Sequence, residues 1–290
     1  MTRRTLQDTC AFAGATVARL APWFAPLLLL ILPVLLFRPA WGGNVAPFGG
    51  DVVVLNYPLL TLIQHQLQSG QLPLWNNYAG GGYPLVPFSA LPFYPPLWAL
   101  RWLTIDAQIT LLDTVHFALA GLGVYVLAGV TGASRTGRLI GAMSFLLSGF
   151  LIAHLYAGHL FEEGVIAWMP WVFYAAHRLL ARPSLRAAVL LGVAGGLQAL
   201  ANGIGFLVFT LYPVAALLVV GLVAAWRRDR RAALRLLPLP LLSGVVAAGL
   251  AAVIILPFLQ VLGQSIRSGG LDYGGASLIS LPPAALPAAL

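Results

Sequence analysis

Seven long apolar runs, joined mostly by short polar connections, dictate what this chain can fold into. They lie at Ala21–Phe37, Gln108–Val130, Arg138–Tyr156, Gly164–His177, Ala187–Ala201, Phe206–Trp226 and Leu236–Phe258. A helix rises about 1.5 Å per residue, so ~20 residues cover the ~30 Å hydrocarbon core of a bilayer. Most runs approach that length; the first, fourth and fifth are shorter and are expected to extend at their ends. Only 8% of the 290 residues are charged, against about 25% in soluble domains. A soluble fold of this size has no core large enough to hide so much apolar surface. The expected class is an all-α polytopic membrane protein with about seven transmembrane helices. Asn202–Gly205 reads as a tight turn that keeps the fifth and sixth runs from merging into one bent helix.

The arginines test this threading independently. With the N-terminus inside, thirteen of the 16 basic residues, all arginine, fall on the inner side and only Arg38, Arg101 and Arg267 fall outside. That is the positive-inside pattern, and it predicts a multi-pass membrane protein with a cytoplasmic N-terminus. It also accounts for the +8 net charge without a nucleic-acid partner, since no basic patch has the interleaved polar surface such binding needs. Residues 1–20 then form a cytoplasmic N-terminus, 21–258 a transmembrane module and 259–290 an extracytoplasmic segment. The first run, behind Arg3 and Arg4, lacks a convincing small-residue cleavage site and reads as an uncleaved signal anchor. The lone Cys10 allows no internal disulfide.

Residues 38–107 form the only long connection, a large first extracytoplasmic loop, and long ordered loops are usually functional. Leu55, Leu59, Leu62, Ile63 and Leu67 recur at helical spacing, with Gln64, His65, Gln68 and Ser69 on the other face. Pro58 suits a first turn and Gly70 a stop, so an amphipathic helix lying on the membrane surface is expected. Pro73-Leu74-Trp75-Asn76-Asn77-Tyr78, the glycines Gly80–Gly82 and Pro92-Phe93-Tyr94-Pro95-Pro96 follow. Within the spans, Gly137-x-x-x-Gly141 and Gly192-x-x-x-Gly196 predict close helix packing.

Few residues carry chemistry. Asp51, after Gly49-Gly50, has the position of a general base or a metal ligand on the outer face; the plain alternative is a solvated loop acid. Glu162 and Glu163, near His159, are a candidate site for a divalent cation, or else a charged helix end facing water. His154, five residues before His159, is off its helical face and reads as packing. Asp113 and His116 share a face of the second run, and Asp113, about one turn from its outer end where water can reach it, reads as a functional group or as a helix–helix hydrogen bond. Arg267 is suited to a lipid phosphate or to a headgroup anchor. Zincin, Walker and paired-cysteine motifs are absent from the sequence, which argues against an ATPase.

Gly50-Asp51 through Tyr57-Pro58, Ser69-Gly70-x-Leu72-Pro73-Leu74-Trp75-Asn76, Gly82-x-Pro84 and Phe93-Tyr94-Pro95-Pro96 together resemble the YfhO-type bacterial membrane proteins of the GT-C glycosyltransferase superfamily. Weaker echoes are Gly123-Val124-Tyr125, Ser148-Gly149, His159, Met169-Pro170-Trp171, Gly196-Leu197-Gln198 and Ser265-x-Arg267. The resemblance covers residues 45 to 290. It implies a GT-C module with surface helices in the first outer loop. It also implies a polyprenyl-phosphate sugar donor and a cell-envelope glycan, lipid or protein as acceptor. Asp51 occupies the position of the expected catalytic carboxylate, and Glu162 and Glu163 that of a second acidic site holding Mg or Mn. Tyr57, Trp75, Asn76, His159 and Arg267 would then bind substrate. Relatives are longer, so the resemblance implies an N-terminal module continuing in a longer parent protein. Two other readings of the residues are a lipid or solute transporter working through Asp113 and His116, and a non-catalytic membrane protein of envelope assembly.

Overall fold

A computed structural model of the chain describes residues 23–42, 49–202, 204–264, 269–270, 272–278, 280 and 282. Apart from a hairpin of two two-residue strands, the regular structure among them is helical. The expected N-terminal segment 1–20 and Cys10 lie outside the described residues. Four stretches among the described residues are long and apolar enough to cross a membrane: Ile105–Val130 (α5), Arg135–Ala157, Gly205–Arg228 within α10, and Arg230–Leu262. Two shorter apolar helices, α1 (Trp23–Leu36) and α9 (Leu185–Leu200), stand beside them. Helix α8 (Leu160–Ala181) is also long but carries Glu162 and Glu163 in its first turn and Arg178 in its last.

Two of the apolar runs differ in detail from a plain rod. The third is broken into α6 (Arg135–Leu146) and α7 (Gly149–Ala157). Ser148 starts the second piece by accepting the Leu151 N–H on its hydroxyl at 3.2 Å, an N-cap that costs little to form and ends the preceding helix. The seventh is preceded by a short helix, α11 (Arg230–Leu236), and continues as α12 (Pro238–Leu262). The fifth and sixth runs remain separate. Asn202 takes a left-handed φ of +77° between α9 and α10 (Ile204–Arg228), a conformation that asparagine tolerates better than most residues.

Glycine contacts fix how the helices run. A Cβ at Gly121 would meet Leu146 and one at Gly129 would meet Arg138, so α5 and α6 are antiparallel neighbours. Gly164 faces His116 and Gly123 faces Trp171, so α5 and α8 run parallel. Gly192 faces Val246 and Gly196 faces Leu250, so α9 and α12 are parallel and very close. The expected small-residue packing therefore holds for Gly192 and Gly196. It does not hold for Gly141, where an added Cβ would meet nothing within 4 Å, or for Gly137, which faces only its own N-cap Ser134 and Ala133. The spacing is the same in both motifs; only the first has a partner helix over it. Gln198, buried on α9, donates to the Val165 carbonyl at 3.0 Å and to Thr210 at 2.7 Å, tying α8, α9 and α10 together.

The long loop is an ordered cap over one end of this bundle. A π-turn (Val52–Asn56) leads into α2 (Tyr57–Gln68), as the Pro58 and Gly70 signals predict. Leu59, Leu60 and Ile63 pack with Leu85, Leu91, Leu97 and, from the helices, Ile105, Ile109, Leu112 and Leu160. The apolar face expected on lipid thus docks on helix ends. Leu55, expected on that face, is exposed instead, and Leu60 takes its place. The π-turn adds a residue to the helical phase and rotates Leu55 away. Beyond α2, Trp75–Asn76 (β1) pairs antiparallel with Tyr83–Pro84 (β2). Gly80, Gly81 and Gly82 all have positive φ, which is what the tight reversal between these strands demands. A helical turn at Leu85–Phe88 (α3), a short α4 (Pro95–Leu100) and a hydrogen bond from the Ala90 N–H to Asn202 Oδ1 at 2.9 Å complete the cap.

Candidate functional site

Asp51 is carried to the turn between α7 and α8 by the residues around it. That turn is built on Gly158, left-handed at φ +87°, which lets the chain reverse in one residue. Buried Asn56 donates its amide to the Gly158 carbonyl at 2.7 Å. Gly49, at φ +90°, passes so close to Ala157 that a Cβ there would collide with the Ala157 carbonyl group. Asp51 Oδ2 then lies 3.4 Å from His159 Nε2. That is long for a tight hydrogen bond but within ion-pair reach, and catalytic contacts commonly tighten only with substrate bound. His159 Nδ1 is in turn 2.6 Å from His154 Nδ1, so one ring donates and the other accepts. His154 is held edge-on against Phe150 and Phe206.

The expectation that His154 is off the face of His159 is thereby corrected. Five residues is poor spacing on one helix, but the left-handed Gly158 ends α7 and folds the next residue back. Glu162 lies close enough to act electrostatically on His154. The sequence placed Asp51, His159 and Glu162 on one face, and the structure brings them to one turn.

Glu163 goes elsewhere. Adjacent residues on a helix point about 100° apart, and Glu163 is only 2% exposed, turned into the interior within electrostatic reach of Asp113 on α5. The pair expected to share a cation is therefore split between the turn and the interior. Among the described residues no three His, Cys, Asp or Glu side chains are close enough to hold a metal ion.

Trp75 and Asn76 are also set apart. The Trp75 carbonyl accepts from Gln66 at 3.5 Å, near the C-terminal end of α2, while Asp51 precedes the N-terminal end. Fifteen residues of helix separate them, about 22 Å. Asn76 works inside the hairpin, donating to the Tyr83 hydroxyl at 3.1 Å and accepting the Tyr78 N–H at 2.9 Å. Tyr57, half-exposed, stands beside Asn56 on the Asp51 side. Arg267 lies outside the described residues.

A second polar cluster, unforeseen as a unit, is sealed beneath the loop. Tyr94 is 2% exposed. Its oxygen accepts from Trp168 Nε1 at 3.0 Å, which leaves its O–H to donate to His116 Nε2 at 2.8 Å. Burial pushes the Tyr94 hydroxyl up to about 12, so it stays protonated. Asp113, expected within reach of water, is 3% exposed under this lid. Among the described residues Asp113 Oδ1, His116 Nδ1 and Glu163 Oε2 have no hydrogen-bond partner, and unmade bonds of this kind are costly in a core.

Two cavities among the described residues lie away from Asp51. One of about 650 Å³ runs between α8 and α9. Another of about 380 Å³ lies among α9, α10 and α12. Asp51, with its side chain 54% exposed, sits in an open surface setting instead. No protein-family model, curated protein or solved structure matches this chain. The residues themselves therefore carry any functional reading.

The docking of this turn makes a direct prediction. Gly49→Ala combines a left-handed backbone with a main-chain collision and is expected to cost about 1–3 kcal/mol of loop docking. Limited proteolysis between residues 50 and 57 should speed up roughly tenfold or more. Gly50→Ala, where an added Cβ meets nothing within 4 Å, should leave the rate unchanged.

Proposed function

We propose that this chain is a GT-C-type glycosyltransferase module embedded in a bacterial cytoplasmic membrane, crossing it about seven times with a cytoplasmic N-terminus. The reading moves a sugar from a polyprenyl-phosphate donor to an acceptor hydroxyl on the loop side. The alternating directions of α5, α6–α7, α8, α9, α10 and α12 support the crossings. The approach of Asp51 to His159, across a sequence gap that only loop docking can close, carries the functional reading.

In this mechanism the Asp51 carboxylate takes the proton of the acceptor hydroxyl. The freed oxygen forms a bond to the anomeric carbon. The bond from that carbon to the phosphate oxygen breaks, and polyprenyl phosphate leaves with the electron pair. His159, steadied by His154, orients Asp51. Arg267 is proposed to meet the departing phosphate, where charge grows in the transition state. The test is sugar transfer from a polyprenyl-phosphate sugar by the full chain in lipid vesicles, comparing the unaltered protein with Asp51→Asn.

The buried cluster of Asp113, His116 and Glu163 favours a second reading, a transporter, because ionisable groups at membrane depth commonly line proton or solute paths. Under that reading Asp113→Asn abolishes uptake and Asp51→Asn is silent.

A further inference from the structure

We propose that the groove between α8 and α9 binds an anionic phospholipid, with its phosphate among Arg178, Arg182 and Arg186 and an acyl chain along Trp168, Trp171 and Tyr174. The proposal rests on the helices spanning a bilayer and is independent of the transferase reading. The groove has a volume of about 650 Å³, and all six of these residues line it.

The two walls differ in chemistry along their length. Trp168, Trp171, Tyr174 and Arg178 recur at three- or four-residue spacing, which puts them on one face of α8. The facing wall of α9 offers Leu190, Val193 and Leu197, again at helical spacing. The apolar wall therefore ends at the cationic mouth formed where α8 turns into α9. From Trp168 to Arg178 is ten residues, about 15 Å of helix, which is half the ~30 Å hydrocarbon core. The groove is as deep as one leaflet, and its charges stand where headgroup phosphates lie.

The three arginines are exposed, and among the described residues they make no ion pair with a carboxylate. Guanidinium groups bind phosphate in bidentate fashion, which a shared mouth of three can satisfy from several sides. A topology signal alone requires only that arginines lie on one side of the membrane. Arg228, Arg231 and Arg235 meet that requirement without lining this groove, so they serve as a charge-matched control.

The experiment uses the full chain in a neutral detergent, delipidated in steps, with retained phosphatidylglycerol and phosphatidylcholine counted by native mass spectrometry. One phosphatidylglycerol is expected to outlast phosphatidylcholine. The triple variant Arg178→Gln/Arg182→Gln/Arg186→Gln should lower its retention tenfold or more, and Arg228→Gln/Arg231→Gln/Arg235→Gln should not. Val193→Trp, which fills the apolar part and leaves every charge in place, should lower it too. Phosphatidylglycerol with brominated acyl chains should quench the tryptophan fluorescence of the unaltered protein, whatever the variants do to folding. Equal loss in both triples, equal retention of the two lipids, or release by inorganic phosphate alone would overturn the proposal.

Discussion

Asp51→Asn is expected to slow sugar transfer by a factor of about 100 to 10,000, the range over which a positioned acid–base group acts. Asparagine keeps the shape of the side chain and its place over His159, so loop docking through Asn56 and Gly49 should survive. It has no basic oxygen to take the acceptor proton. His159→Gln should give a smaller loss, since it removes the group that orients Asp51. The double variant should be little worse than Asp51→Asn alone, because residues that act as a unit are strongly non-additive. Val54→Ala, at a residue 79% exposed, controls for general damage. Transfer at the unaltered rate in a well-folded Asp51→Asn protein would end the base assignment.

Gly192→Val is expected to produce the largest loss of stability. A Cβ there would come within 2.6 Å of the Val246 Cβ and 2.7 Å of the Ser243 carbonyl oxygen. Neither neighbour is a flexible side-chain tip, so α9 and α12 must move apart. Overpacking of this kind costs about 1–3 kcal/mol, and a main-chain collision belongs at the upper end. For a chain of this size the upper end is a fall of about 5 °C in the thermal midpoint. Gly141→Val, in the other glycine motif, faces open space and should leave the midpoint within about 2 °C. Equal effects at the two sites would contradict the packing described for α9 and α12.

The local features were readable in sequence because their causes are local. Pro58 and Gly70 bound α2, Gly80–Gly82 turn the hairpin, and Asn202 separates α9 from α10. Leu55 was misplaced because a π-turn is a phase error that periodicity does not announce. The site was half legible. Asp51 and His159 were each visible as candidates, whereas the close backbone approach of Gly49 to the Gly158 turn shows only in the folded chain. Their meeting depends on docking 108 residues away in sequence, as the Asn56–Gly158 bond shows by its separation of 102. The parting of Glu162 from Glu163 was readable, since neighbours on a helix cannot share a face. The burial of Asp113 was not, because Tyr94 and Trp168 come from distant segments.

Tyr94 has a consequence for any reagent dissolved in water. Its phenol bridges His116 on α5 and Trp168 on α8 on the loop side of the buried acids, so an aqueous molecule is expected to have to dislodge it before touching Asp113 or Glu163. A water-soluble carbodiimide should therefore modify Asp51 while sparing both interior acids. Removing the phenol with Tyr94→Ala should admit it.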